Sequence, residues 1–300
     1  MSDLHKQIEE KYAALGENQD MYLKGLLYAK PINYWDYVEV DTLLSLQKPR
    51  TDFKDEEIFI MYHQVTELVL KMMIHELKQL SETQNEESVW IDKLGRLTRY
   101  TNLLISSFSV MREGMSHEDY NKFRFTLTPA SGFQSAQFRF LEIYCTRLHN
   151  LLNEEGKSRL PSNPSTEDYF ENIYWRDAGF NKETGKRSFT LRQFEEKYLD
   201  QFILLANKMK GKTVEERFLE LANPSKELLD KLREFDFHIN VLWPMTHLGT
   251  ARHYLESKGE VKAATGGSDW QKYLHPKYQQ RKFFPSIWTP EEIENWAKDL

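Results

Sequence analysis

The sequence predicts an all-α fold from three observations. Apolar residues recur at three- and four-residue steps through most of the chain. Two capping sequences mark helix starts, and no alternating run or Asn-Gly hairpin competes. Of 300 residues, 40% are hydrophobic and 29% charged, with a mean hydropathy of −0.66. That balance suits amphipathic helices with well-solvated outer faces, and a chain this long can bury a substantial core.

Taken in order, residues 56–80 read as a long helix with Ile58, Met61, Val65, Leu68 and Met72 facing inward. From Trp90 onward, Leu94, Leu97, Leu104, Phe108 and Met111 form one buried stripe. Further helical patterns cover 133–152, 191–210, 214–222, 225–256 and 290–298. Thr213 and Thr289 each precede a glutamate at the third helical position, Glu216 and Glu292, and Pro290 stands where a helix tolerates it. Residues 154–189 form a loop-rich insert holding a short helix around 168–175, and 257–269 is rich in glycine and small residues. With no repeats and no evident linker, the expectation is a single domain over 1–300, with an N-terminal extension at 1–33.

The net charge of −6 argues against a nucleic-acid partner. Cys145 is the one cysteine and cannot form an internal disulfide, which points to a reducing compartment and a buried, inert thiol. The N-terminus is charged throughout and the chain has no long apolar run, so the expectation is a soluble, cytoplasmic protein with no membrane partner.

Residues 123–142, FRFTLTPASGFQSAQFRFLE, set Arg124 and Arg139 and several phenylalanines around a Pro-Ala-Ser-Gly break. A guanidinium fork matches a carboxylate with two parallel hydrogen bonds. For either arginine singly, an ion pair with one of the 46 acidic side chains is the plainer reading. His63 and His247 lie mid-helix in apolar company, where a histidine is more often a hydrogen-bonded core residue than a ligand. Pro244, three residues before His247, removes a backbone hydrogen bond and kinks a helix. With Trp243 alongside, an axial haem ligand becomes a second reading of His247. Thr265-Gly266-Gly267-Ser268 offers a hydroxyl and backbone amides to a charged ligand.

In order and local spacing these pieces resemble the tryptophan 2,3-dioxygenase family. Tyr34-Trp-Asp-Tyr37 resembles its opening motif, and Phe59-Ile-Met-Tyr-His63-Gln64-Val-Thr-Glu67-Leu68 resembles its Phe-Ile-x-x-His-Gln-x-x-Glu-Leu helix. Tyr120 to Arg124 running into Pro129-Ala-Ser-Gly-Phe-Gln-Ser135 is similar to its central segment. Trp243 before His247, then Thr265-Gly-Gly-Ser268, is similar to its ligand helix and following loop. Residues 281–288 resemble its C-terminal segment. The chain departs at Val69-Leu70, where the family has Trp-Phe, and at Ala264, where it has glycine. The spacing from His247 to Thr265 is also longer, with the extra residues near 260–263. His253 is the competing ligand if the alignment shifts.

The resemblance implies a helical haem-dependent fold, a b-type haem and a homotetramer whose N-terminal segments reach a neighbour's site. It implies cleavage of the indole 2,3 bond of L-tryptophan or a substituted tryptophan by O2, giving an N-formylkynurenine. His247 is implied as the iron ligand, His63 as the distal catalytic residue and Ser131 as a residue at the haem edge. Phe59, Tyr120, Arg124, Thr265, Tyr34 and Tyr37 are implied as substrate-binding, the last two from another subunit. Two alternatives stand beside it: a haem monooxygenase of an indole derivative, and a non-enzymatic helical protein binding haem or an amino acid.

Overall fold

The computed structural model describes residues 3–82, 86–127, 132–181, 185–257, 260–261, 270–298 and 300. The chain divides into two compact units, Met1–Lys48 and Pro49–Leu300. The first holds α1 (Asp3–Ala14), α2 (Gln19–Leu26), α3 (Tyr34–Val38) and α4 (Val40–Leu43). None of the four contains a buried residue. Asn18 caps α2 through its side chain, and Glu39, at φ 56°, separates α3 from α4.

The second unit is built on two long helices, α5 (Asp55–Glu82) and α6 (Glu87–Glu113), which pack along each other. After α7 (His117–Phe123), α8 (Ala136–Cys145) packs on α5. The loop-rich region carries α9 (Glu154–Ser158), α10 (Thr166–Glu171) and a two-residue antiparallel ladder of β1 (Phe180–Asn181) with β2 (Lys186–Arg187). Next come α11 (Phe189–Met209), which packs on α8, and α12 (Val214–Leu219). Both capping boxes anticipated at Thr213 and Thr289 are present. The fold is all-α, as the periodicity implied, and no described helix is long and apolar enough to cross a membrane.

Two differences from the sequence reading have clear causes. Met61, Val65, Leu68 and Met72 are 39–49% exposed rather than facing inward. α5 is apolar on more than one face, and the side that packs on α6 and α8 carries Leu70, Met73, Leu77 and Leu80 instead, each fully buried. Periodicity finds a stripe but does not choose between two. The helix expected over 133–152 ends at Cys145. Thr146 turns extended, and the Glu215 carboxylate takes hydrogen bonds from its hydroxyl at 2.7 Å and from the Arg147 amide at 3.1 Å.

The predicted helix over 225–256 is one rod in three parts: α13 (Lys226–Phe237), a π-helical turn at His238–Leu242, and α14 (Trp243–Leu255). Pro244 cannot donate to the carbonyl one turn back, and the rod widens just ahead of it. A second short ladder, β3 (Glu256–Ser257) with β4 (Glu260–Val261), follows the rod. Then come α15 (Trp270–Leu274), α16 (Pro276–Gln279) and α17 (Pro290–Glu294).

Asp236, fully buried on the rod, ties this C-terminal stretch down. Its carboxylate accepts from the Phe283 amide (2.7 Å), the Phe284 amide (3.3 Å), Trp288 Nε1 (2.8 Å) and Asn240 Nδ2 (2.7 Å). Lys282 sits beside it with Nζ 4.7 Å from the Trp296 ring centroid, and burial pulls its pKa down to about 8. Asp236→Ala strands four buried donors at once. It should lower the unfolding free energy in urea by about 3–5 kcal/mol at unchanged slope; a loss below about 1 kcal/mol would show that the carboxylate is not the anchor.

Candidate active site

A cavity of about 500 Å³ opens within the second unit, in the middle of the range for small-molecule and cofactor sites. α5 supplies one wall: Phe59, Tyr62, His63, Thr66, Glu67 and Leu70 recur at helical spacing and all line it. α14 supplies the facing wall with Trp243, Pro244, His247, Thr250, Ala251 and Tyr254. Two histidines thus enter one cavity from different helices.

His63 Nδ1 lies 2.7 Å from the carbonyl of Phe59. A carbonyl only accepts, so Nδ1 carries the proton and Nε2 remains the acceptor. The ring is open to the cavity yet hemmed in by protein, and burial holds its pKa below the ordinary value. His247 is half-buried, with its ring 5.4 Å from Phe108 in a stacked arrangement. Burial first, and His63 second, lower its pKa to about 4. Both imidazoles are neutral near pH 7, the form that can offer a ring nitrogen to a metal.

The aromatic end of the cavity is continuous. Phe59 lies 4.2 Å from His63 and 6.2 Å from Tyr120, centroid to centroid, and Tyr120 lies 4.3 Å from Tyr254. Burial raises the Tyr254 phenol to about 12 and also raises that of Tyr120, against the opposing charge of Arg124. Arg124 is 5% exposed, with its guanidinium carbon 5.0 Å from the Phe125 ring; it lies near Tyr120 but is not part of the cavity wall. At the other end stand Glu67, Gln134, Ser135, Arg139, Tyr174, Asn240 and Arg281. Burial raises the Glu67 pKa against a hydrogen bond from Ser135.

The structure therefore gathers Phe59, His63, Tyr120 and His247 around one space, with Arg124 beside them. Ser131 and Thr265 lie outside the described residues. Tyr34 and Tyr37 lie in the first unit, 74% and 77% exposed. His253 is exposed and packs against His117 and Tyr254, outside the cavity wall, so between the two candidate ligands His247 is the one that faces the cavity. Sequence reasoning missed Tyr254, although it stands two turns after His247 on the same face, a spacing that would have found it. Arg281 opens the 281–288 segment that the sequence singles out, but its local spacing does not place it in a cavity wall.

These residues fit a flat apolar cofactor bound through one imidazole. The walls are aromatic and aliphatic, one neutral histidine faces inward from each side, and polar groups gather at one end.

In the ligand-free chain, His247 binds fewer protons folded than unfolded between about pH 4 and its ordinary 6.5. Stability should fall as pH drops through that window. In His247→Asn that part of the slope disappears, so the wild-type and variant curves converge as pH falls toward 4; parallel curves in a pH series of urea melts would contradict a buried neutral imidazole.

The sequence matches the family described as tryptophan 2,3-dioxygenase over residues 26–199. A tryptophan 2,3-dioxygenase of Ruegeria sp. (strain TM1040) is 29% identical over 271 residues, spanning 87% of this chain and 92% of the relative. One of Bradyrhizobium diazoefficiens is 27% identical over 275 residues (89% and 94%). One of Bacillus thuringiensis subsp. konkukian is 28% identical over 281 residues (87% and 92%). The chain belongs to the tryptophan 2,3-dioxygenase family, and is an oxidoreductase by that membership.

Proposed function

We propose that this protein is a haem-dependent dioxygenase that opens the indole 2,3 bond of L-tryptophan, or of a ring-substituted tryptophan, with O2 to give an N-formylkynurenine. One observation carries the reading: two neutral histidines, on α5 and α14, face into a single aromatic-walled cavity of cofactor size. The family and the names of the relatives point the same way.

His247 holds the iron of a b-type haem, and Phe108, stacked on its ring, keeps the imidazole oriented. The haem, when bound, supplies the iron at which O2 is activated. The chain's own residues place the indole and keep the site dry. Phe59 packs on the indole, and His63 Nε2 accepts a hydrogen bond from its N–H, because Nδ1 is already committed to the Phe59 carbonyl. Arg124 and Tyr120 take the amino-acid end, the guanidinium matching the carboxylate. By the family resemblance alone, Thr265 would bind the ammonium and carboxylate end and Ser131 would serve the haem. Phe59, Tyr120 and Tyr254 give the reacting face an aromatic wall, which disfavours water there once substrate is bound.

The protein works as a homotetramer in the cytoplasm, in tryptophan catabolism. The first unit supports that assembly: its helices bury nothing, and Leu26, Leu27, Tyr28, Tyr34 and Tyr37 are all more than two-thirds exposed. Apolar side chains in that number call for a covering surface, and a second copy supplies it, with Tyr34 and Tyr37 entering the neighbour's pocket.

Reduced protein given L-tryptophan in air should release a product with two added oxygen atoms. A product with one added oxygen would favour the monooxygenase reading, and no turnover of any tryptophan would sink the proposal. His247→Ala should lose the Soret band of the purified protein. Arg124→Gln should lower kcat/KM for tryptophan by about ten- to a hundred-fold, with a smaller effect on indoles that lack the carboxylate.

A further inference from the structure

Between α6 and α7 lies a short joint, Gly114 to Ser116, and a side chain from another helix closes it. Tyr254, on α14, is 1% exposed. Its hydroxyl donates to the Met111 carbonyl in the last turn of α6, and it lies 3.4 Å from the carbonyl of Met115 inside the joint. The last four carbonyls of a helix lack a partner within it, and Tyr254 meets one of them. Burial raises this phenol to about 12, so it keeps its proton and remains a donor near neutral pH.

The ring of the same residue packs on α7. It is stacked on His117, the first residue of that helix, at 5.6 Å, and lies 4.3 Å from Tyr120, one turn later. The start of α7 is also held from α5, where Asp55 accepts from the Ser116 amide. Tyr254 therefore bears on three elements: its own helix, the end of α6 and the face of α7.

α7 carries the groups that take the amino-acid end of the substrate. Tyr120 lines the cavity, and Arg124 follows it by one turn at the end of the helix. Arg124 stands eight residues past Ser116, about 12 Å along the axis. A tilt of about 10° at the joint moves it by roughly 2 Å, more than a guanidinium–carboxylate hydrogen bond tolerates. Tyr254 is itself two turns beyond His247 on α14, so α7 is set against the helix that faces it across the cavity.

Resting on the dioxygenase reading, we propose that Tyr254 is a positioning residue that sets specificity for an indole bearing a carboxylate. Its hydroxyl fixes the joint and its ring fixes Tyr120; together they hold Arg124 at the reach an amino-acid side arm requires. The two contributions are separable, because Tyr254→Phe removes the tether and keeps the ring, whereas Tyr254→Leu removes both.

The test measures binding of L-tryptophan and of tryptamine, which has the same ring and ammonium group without the carboxylate, by calorimetry on the full-length haem-loaded protein. Tyr254→Phe should weaken L-tryptophan by about ten-fold and tryptamine by less than about three-fold. Tyr254→Leu should narrow the preference further. In turnover the loss should fall on KM for L-tryptophan more than on kcat. Equal weakening of both ligands assigns Tyr254 a merely structural role and overturns the proposal, as does an unchanged preference in Tyr254→Phe. Hydrogen exchange on the wild type needs no variant to fold: L-tryptophan should slow exchange in residues 117–123 and 250–255 together, and tryptamine should do so less in both. Protection of 117–123 by L-tryptophan with 250–255 unchanged overturns the coupling. A wild type that prefers L-tryptophan yet turns over no tryptophan sinks the dioxygenase reading, whereas one that turns it over with no preference against tryptamine overturns the positioning role alone.

Discussion

The Asp236 carboxylate, sunk in the rod and surrounded by N–H groups, is the constraint on which the second unit depends. A buried carboxylate is costly to desolvate and persists only when its oxygens are satisfied. Here two backbone amides, an indole and an amide side chain satisfy them. Three of those donors come from residues 283–288, so the C-terminal stretch is held where its own short helices could not keep it. The fourth comes from Asn240 in the π turn, which locks the widened part of the rod. Asn240 then turns its oxygen to Arg281. One interior charge thus fixes the C-terminal segment, the π turn and a guanidinium in the cavity wall together.

The π turn and Pro244 set the direction of α14, and with it the face on which Trp243, His247 and Tyr254 reach the cavity. α5 answers from the other side with Phe59 and His63. Burial on both sides disfavours imidazolium, so each histidine keeps one nitrogen lone pair available. The cavity is also divided by polarity, aromatic near α7 and the end of α14, and guanidinium-rich near α8.

How much was legible in the sequence varied with the range of the interaction involved. Helix starts at Thr213 and Thr289 were readable because a capping box is complete within four residues. The long rod was readable because apolar residues recur at helical spacing on both sides of Pro244. The outward placement of Met61, Val65, Leu68 and Met72 was not, since α5 carries apolar residues on two sides and only its neighbours decide which is buried. The stop at Cys145 was hidden as well, because the residue that enforces it, Glu215, lies far along the chain.

The site divides the same way. The sequence by itself determined that the chain is helical, that Phe59 and His63 share a helix face, and that a histidine follows a proline in an apolar rod. These are consequences of local spacing and side-chain chemistry. Only the tertiary structure decided that His247 rather than His253 faces the cavity, that Tyr254 closes its aromatic end, and that Arg281 joins Arg139 around Tyr174. The reason is physical: local periodicity sets the angle of a side chain about its own helix, whereas a cavity is formed by helices meeting, and that meeting is governed by contacts between residues far apart in sequence.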